Sequence, residues 1–363
     1  MSKLHNSQSV FRHICQLSAD KGILFYSTAD FLVFYTTISS KCLREGVVVI
    51  AFSIMFNHFH LESMFETDSE MASFVNGAVS PFAKRYNSHY GLSGQVFRHN
   101  YNRSKKFGEK HTRDIVVYIG NNGKEKIPGI KAEDYRWNFL KYLVSTHPFS
   151  EEIDYRTASP SLIRLMSIVI AKRSKLQSLN YDFFESEEYC HLSEKEKKQL
   201  TDFIITTYFF LDKDLIFKLY GSYENLCTAI NAVSGAEHSF ADDFSSEDYR
   251  HYYRMIRICI EHGFDVTKHR YSLPGWHYDH DRKAIFWQDE GISAASCGEL
   301  SQDAPVLPSS CGNSSQDHGK YPPSCGGKEI SKREFSSLIA EFQTEMNVSD
   351  YEIAKFFHLL SEK

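Results

Sequence analysis

The chain has 363 residues, more than one average domain requires. Its 42% hydrophobic and 24% charged residues are ordinary globular values and exclude wholesale disorder, and 28 Phe and 21 Tyr predict an aromatic-rich core. The longest apolar run, Val47 to Phe56 with Ser53 inside it, is about half of what a bilayer span needs. The N-terminus carries no apolar segment ahead of a small-residue cleavage site, which argues against secretion. The eight cysteines include no Cys-x-x-Cys pair and read as reduced thiols of a cytoplasmic protein. A net charge of −5 conceals a segregation. Between Ser80 and Ser145 there are 13 Lys and Arg against five acids, leaving +8 there and −13 elsewhere. Tyr86, Tyr90, Phe97, Tyr101, Phe107, Tyr135 and Trp137 interleave these cations. Such a zone suits a phosphate backbone and stacked bases, and composition alone fits a solvated basic face equally well.

Residues 28–45 place Phe31, Leu32, Phe34, Tyr35, Ile38 and Leu43 at helical spacing, with Gly46 as the stop. Val47–Phe65, rich in β-branched and aromatic residues, reads as one long strand or a bent pair. Helical period resumes over 68–90, with Met71, Phe74, Val75, Phe82 and Tyr86 on one side and Pro81 as a kink or interruption. A loop with Gly91 and Gly94 leads to a short strand at Gln95–His99. A helix over 111–119 then runs into Gly120, Asn121, Asn122 and Gly123.

From Ser159 onward long helical patterns dominate. Leu192–Leu211 opens with a capping box of Ser193 and Glu196, and 213–233 and 245–262 behave similarly. Over 291–328 Ser-Cys-Gly recurs every 14 residues, at Ser296, Ser310 and Ser324, in a Pro-, Gly- and Ser-rich background that reads as a flexible linker. The tail, 331–361, carries two short helices opened by capping boxes, Ser331 with Glu334 and Ser349 with Glu352. Pattern alone fits a helix-turn-helix fragment or a plain packing hairpin.

Chemistry concentrates in two places. In His58-Phe59-His60, strand alternation puts both imidazoles on one face, with Glu62 next in line and Phe59 and Leu61 on the other. Two such imidazoles can share a divalent cation and leave coordination positions open, although the pair alone also fits ordinary histidines in a chain with 17 of them. Tyr118 and Asn122, four apart, share a helix face. A phenolic oxygen can attack phosphorus as a covalent nucleophile, and an amide oxygen can complete a metal site. Tyr118 is one of 21 tyrosines, so spacing does not select it.

The run MFNHFHLE at 55–62 resembles the MPNHxHL signature of the single-tyrosine HUH transposases, in the branch of the REP-associated tyrosine transposases. Three further blocks agree in order: FRHICQLSADKGILF (11–25), FAKRYNSHYGLSGQVFRHNY (82–101) and VVYIGNNGKEKIPG (116–129). The last is similar to the family's YIxxNPVxxG block, and DYRWNFLKYL (134–143) is similar to the close of that domain. The family's two prolines are replaced here by Phe56 and Gly123, and neither change removes a catalytic atom. Coverage is about 11–143. The stretch 192–240 and the ending 352–360 are similar, less specifically, to the accessory region of longer members.

The resemblance implies an α+β fold with a ferredoxin-like (RRM-like) central antiparallel sheet and flanking helices, the His-x-His strand central and the Tyr118 helix beside it. An all-helical C-terminal accessory region would follow. The expected divisions are a nuclease domain at 1–148, a helical domain at 149–290, the linker at 291–328 and a helical hairpin at 329–363. The implied activity is cleavage and rejoining of single-stranded DNA near hairpins through a 5′-phosphotyrosine. Tyr118 would be the nucleophile, His58, His60 and Asn122 would hold Mg²⁺ or Mn²⁺, and Lys84, Arg85, Arg98, Arg103, Lys105 and Lys106 would contact DNA. A bacterial, nucleoid-associated protein, with a homodimer left open, is the implied setting. Two other classes stay in view: a non-catalytic DNA-binding regulator derived from a transposase, and a rolling-circle initiator or relaxase.

Overall fold

The computed structural model describes residues 10–19, 22–98, 102–105, 108–126, 130–232, 331–357 and 359. It also describes 251, 254–256, 258, 259, 261, 262, 264, 273, 276–279 and 281–287, and at 102–105, 125 and 126 the backbone alone. The first elements are β1 (Val10–Leu17), α1 (Thr28–Glu45), β2 (Val49–Ile54), β3 (His58–Phe65), α2 (Asp68–Tyr90), β4 (Asn102–Lys105) and α3 (Glu109–Lys126). The strands form one antiparallel sheet in the order β2-β3-β1-β4, so the chain is α+β and the His-x-His strand is central. The apolar stretch from Val47 is a bent pair: Met55, Phe56 and Asn57 separate β2 from β3.

Local chemistry sets the ends of α1 and α2. Ser27 caps α1 in a reciprocal box with Asp30, and Gly46 closes it at φ +66°, where a Cβ would be strained. Thr67 caps α2, which runs straight through Pro81 to Gly91. Both helices cover one face of the sheet. Phe34 of α1 meets Phe59 and Phe82 at ring-centroid distances of 5.0 Å each, and Phe25, Phe52 and Phe97 complete the aromatic cluster. Each such pair contributes about 0.5–1.5 kcal/mol beyond its buried area.

On the other face lies α3, longer than sequence pattern suggests because it continues through Gly120 and Gly123. Both glycines sit where a neighbour presses on the helix. A Cβ at Gly120 would lie 2.6 Å from the Ile230 side chain, and one at Gly123 would lie 2.5 Å from both Cβ and Cγ of Tyr135. The weak helix propensity of glycine is thus overridden by packing. Asn138 adds a tie by donating to the Gly120 carbonyl at 3.2 Å, and the Tyr135 hydroxyl donates to the Ile54 carbonyl at 2.7 Å. Gly123→Ala is therefore expected to destabilise the protein by about 1–3 kcal/mol, despite better helix propensity, because the root of Tyr135 cannot swing away. A thermal unfolding midpoint equal to or above the wild type would contradict this.

The second half packs directly on this unit. Helices α4 (Pro160–Ser174), α5 (Tyr181–Glu185), α6 (Glu187–Cys190), α7 (Glu194–Thr207), α8 (Lys213–Tyr220) and α9 (Tyr223–Ala232) share one continuous apolar core with the sheet and α1. Tyr35 donates to the Ile205 carbonyl at 2.9 Å, Ser39 to the Tyr208 carbonyl, and the Asp212 amide to the Val49 carbonyl at 2.7 Å. Packing is unbroken across residue 148. The capping box of Ser193 and Glu196 opens α7 as its sequence predicts.

Two expectations change. The strand expected at Gln95–His99 is only an isolated bridge between Ser18 and Phe97, and β4 forms later, over the polar residues 102–105. The C-terminal region is not all-helical, because β5 (Trp276–Asp279) and β6 (Ala284–Trp287) make an antiparallel hairpin. Cys15, Cys42, Cys227 and Cys259 are free thiols.

The terminal helices α10 (Lys332–Met346) and α11 (Asp350–Phe356) both carry the predicted capping boxes. Phe335 packs on Trp276 at 4.9 Å and Asp350 accepts from the Ile285 amide at 3.0 Å, while the Tyr26 hydroxyl donates to the Phe356 carbonyl at 2.5 Å. The hairpin therefore seats on β5–β6 and on the loop after β1. The repeats at 291–328 lie outside the described residues. Among those described, no helix is long and apolar enough to cross a membrane.

Candidate active site

The antiparallel register builds the site from two strands. Cys15 of β1 lies opposite His60, Leu17 opposite His58 and His13 opposite Glu62, so these side chains share the face that α3 covers. His13, His58 and His60 are 3%, 1% and 0% exposed. His58 Nε2 and His60 Nε2 converge to 2.9 Å. Each ring is held from its far side: His58 Nδ1 is 2.8 Å from Asn57 Oδ1, and His60 Nδ1 is 3.0 Å from His13 Nε2.

Tyr118 reaches this cluster from α3. Its ring stands edge-on to His60 with centroids 5.4 Å apart and to His13 at 5.7 Å. Helix α3 runs antiparallel to β3. Tyr118 meets His60, and farther along the helix Gly123 meets Tyr135, whose hydroxyl is bonded to Ile54, the β2 residue opposite Phe59. Four helical residues rise about 6 Å and two strand residues span about 6.7 Å. One turn beyond Tyr118, Asn122 therefore lies toward the His58 end. Asn122 is 1% exposed, and its amide nitrogen has no hydrogen-bond partner among the described residues.

Glu62 stands apart from the pair. It is 1% exposed with neither carboxylate oxygen hydrogen-bonded among the described residues, and burial raises its pKa well above the usual carboxylate range. No set of three or more His, Cys, Asp or Glu among the described residues is arranged to hold a metal ion. A cavity of about 440 Å³ opens beside the first turns of α3, lined by Glu109, Lys110, Arg113, Asp114 and Tyr220 among others, and includes neither Tyr118 nor the three histidines.

The expected DNA contacts that are described fall on different elements. Lys84 is exposed on α2. Arg85 is instead committed inward, donating to Thr37 Oγ1 at 3.1 Å and Ser178 Oγ at 2.5 Å, which ties α2 to α1 and the α4–α5 loop. Burial lowers its pKa accordingly. Arg98 is half-buried beside the end of β1, its amide donating to Leu17 O. Arg103 and Lys105 are placed only as β4 backbone, and Lys106 lies outside the described residues.

Sequence reasoning missed His13 and the backing role of Asn57. No spacing marks His13, 45 residues before His58; only the β1–β3 register brings it to His60.

No protein-family model matches the chain, and no curated protein matches it. Among solved structures, one described as a REP-associated tyrosine transposase bound to a REP hairpin is similar over 44% of this chain and 96% of its own, with a TM-score of 0.32 and 14% identity.

Proposed function

We propose that the chain is a metal-dependent, single-tyrosine nuclease that cleaves and rejoins single-stranded DNA near hairpins, with Tyr118 as nucleophile and His58, His60 and Asn122 as metal ligands. The observation that carries this reading is the convergence of two backed imidazole nitrogens beside the ring of Tyr118. The order β1-α1-β2-β3-α2-β4 with sheet order β2-β3-β1-β4 supports the ferredoxin-like form of the fold.

The donor set, two imidazoles and an amide oxygen, would take Mn²⁺, or Mg²⁺ with water filling its remaining positions. The two Nε2 atoms lie 2.9 Å apart, and turning the Asn122 amide over would put its oxygen where the nitrogen has no partner. Held by His58, His60 and Asn122, a cation would polarise the scissile phosphate. Tyr118 Oη then forms a bond to phosphorus and the bond to the 3′ oxygen breaks. The phenolic proton leaves and the 3′ oxygen takes one up, giving a 5′-phosphotyrosine and a free 3′-OH. Attack by a 3′-OH reverses the exchange with no outside energy source, because the ester is conserved. Lys84, Arg98, Arg103, Lys105 and Lys106 would supply phosphate contacts. Tyr118 is 5% exposed, so little of this residue is open to DNA. That coverage favours one second reading, a DNA-binding regulator with an idle site.

Labelled single-stranded hairpin DNA with Mn²⁺ separates the two. A covalent protein–DNA band with wild type, absent with Tyr118→Phe and with EDTA, is the expected result. Hairpin binding with no covalent band under any condition would favour the regulator.

A further inference from the structure

We propose that His13 is a positioning residue that sets the tautomer of His60 and so prepares the His58–His60 pair for a divalent cation; this rests on the metal reading of that pair. His13 is buried, its Nε2 lies 3.0 Å from His60 Nδ1, and the two rings stack at 5.2 Å and 16°. The same ring meets Tyr118 edge-on at 5.7 Å. One side chain thus touches both a metal-facing imidazole and the nucleophile.

Proton accounting gives His13 its role. A neutral imidazole carries one N–H. The arrangement with the side-chain oxygen of Asn57 toward His58 Nδ1 assigns the His58 proton to Nδ1 and leaves a lone pair on Nε2. Without a cation, the 2.9 Å gap is closed by the His60 proton on Nε2, and His60 Nδ1 accepts from His13 Nε2. To present two lone pairs to a cation, His60 must carry its proton on Nδ1 and donate it to His13. His13 must then accept at Nε2 and hold its own proton on Nδ1. Two protons change nitrogen, none is gained or lost, and all three rings stay neutral. An apolar side chain at position 13 cannot accept, so it would leave the His60 N–H buried without a partner whenever the site is loaded. Outer partners of this kind typically change metal affinity 10–100-fold.

The test is Mn²⁺ titration calorimetry on the full chain, comparing wild type, His13→Gln, His13→Leu and His58→Ala, with thermal unfolding as a folding control. Gln keeps an acceptor near the Nε2 position, while Leu fills similar space without one. Leu should weaken binding by about 10–100-fold and Gln should stay near the wild-type value. Leu binding as tightly as wild type overturns the proposal, and so does an equal loss in both variants, which would reduce His13 to packing. Wild type that binds no Mn²⁺ overturns the metal reading along with it. Wild type that binds while His58→Ala does not leaves that reading standing and His13 alone on trial. Should His13→Leu fail to fold, ¹⁵N NMR of histidine-labelled wild type decides: Mg²⁺ should move the His60 proton from Nε2 to Nδ1, and an unchanged tautomer overturns the proposal.

Discussion

Asp202→Ala is expected to destabilise the protein by about 3–5 kcal/mol, a large part of the 5–15 kcal/mol typical of a folded protein. Asp202, 1% exposed on α7, accepts from four donors: Arg136 at 2.7 Å, Tyr142 at 2.6 Å, and the Phe149 amide and Ser150 hydroxyl at 2.9 Å each. All four donors come from the segment 136–150, which also anchors α3 through Asn138. Removing the carboxylate leaves a largely covered guanidinium and three further donors unmatched. Asp202→Asn should also destabilise, by about 2 kcal/mol, because its NH₂ group would face donors on at least one side. Urea unfolding with a constant m value measures both. A loss below about 1 kcal/mol for Ala would mean that water replaces the carboxylate readily.

The second large effect concerns the pair His58 and His60. Replacing both by Ala should remove Mn²⁺ binding and lower DNA cleavage by at least about a hundredfold, since roughly 3 kcal/mol of transition-state stabilisation is lost with the cation. Calorimetry and an oligonucleotide assay read the two losses, and they should fall together. Cleavage that persists in EDTA, or in the double variant, would separate the reaction from this pair.

What the sequence made legible follows from where local chemistry decides structure. The bounds of α1 and α2 are readable because Gly46 and Gly91 adopt positive φ at their ends. The His-x-His face is readable because strand alternation is strict. Long-range packing hides the rest. Gly120 and Gly123 look like a helix end, yet α3 continues because Ile230 and Tyr135 occupy the space a Cβ would take. β4 pairs with β1, but its sequence Asn-Arg-Ser-Lys offers no apolar alternation to mark a strand. The candidate site was legible as two separate pairs, His58 with His60 and Tyr118 with Asn122, whose union rests on the packing of α3 over β3. Neither His13 nor the inward role of Arg85 could be read, since each depends on a partner tens of residues away.

Mapping the covalent link tests the central claim most directly. Wild-type protein incubated with Mn²⁺ and single-stranded hairpin DNA, then digested with protease and nuclease, should yield one peptide bearing a 5′-linked nucleotide on Tyr118 by tandem mass spectrometry. The adduct should vanish in Tyr118→Phe while hairpin binding persists. A nucleotide on any other tyrosine, or cleaved DNA with no protein-linked product, would contradict the assignment of Tyr118 as the nucleophile.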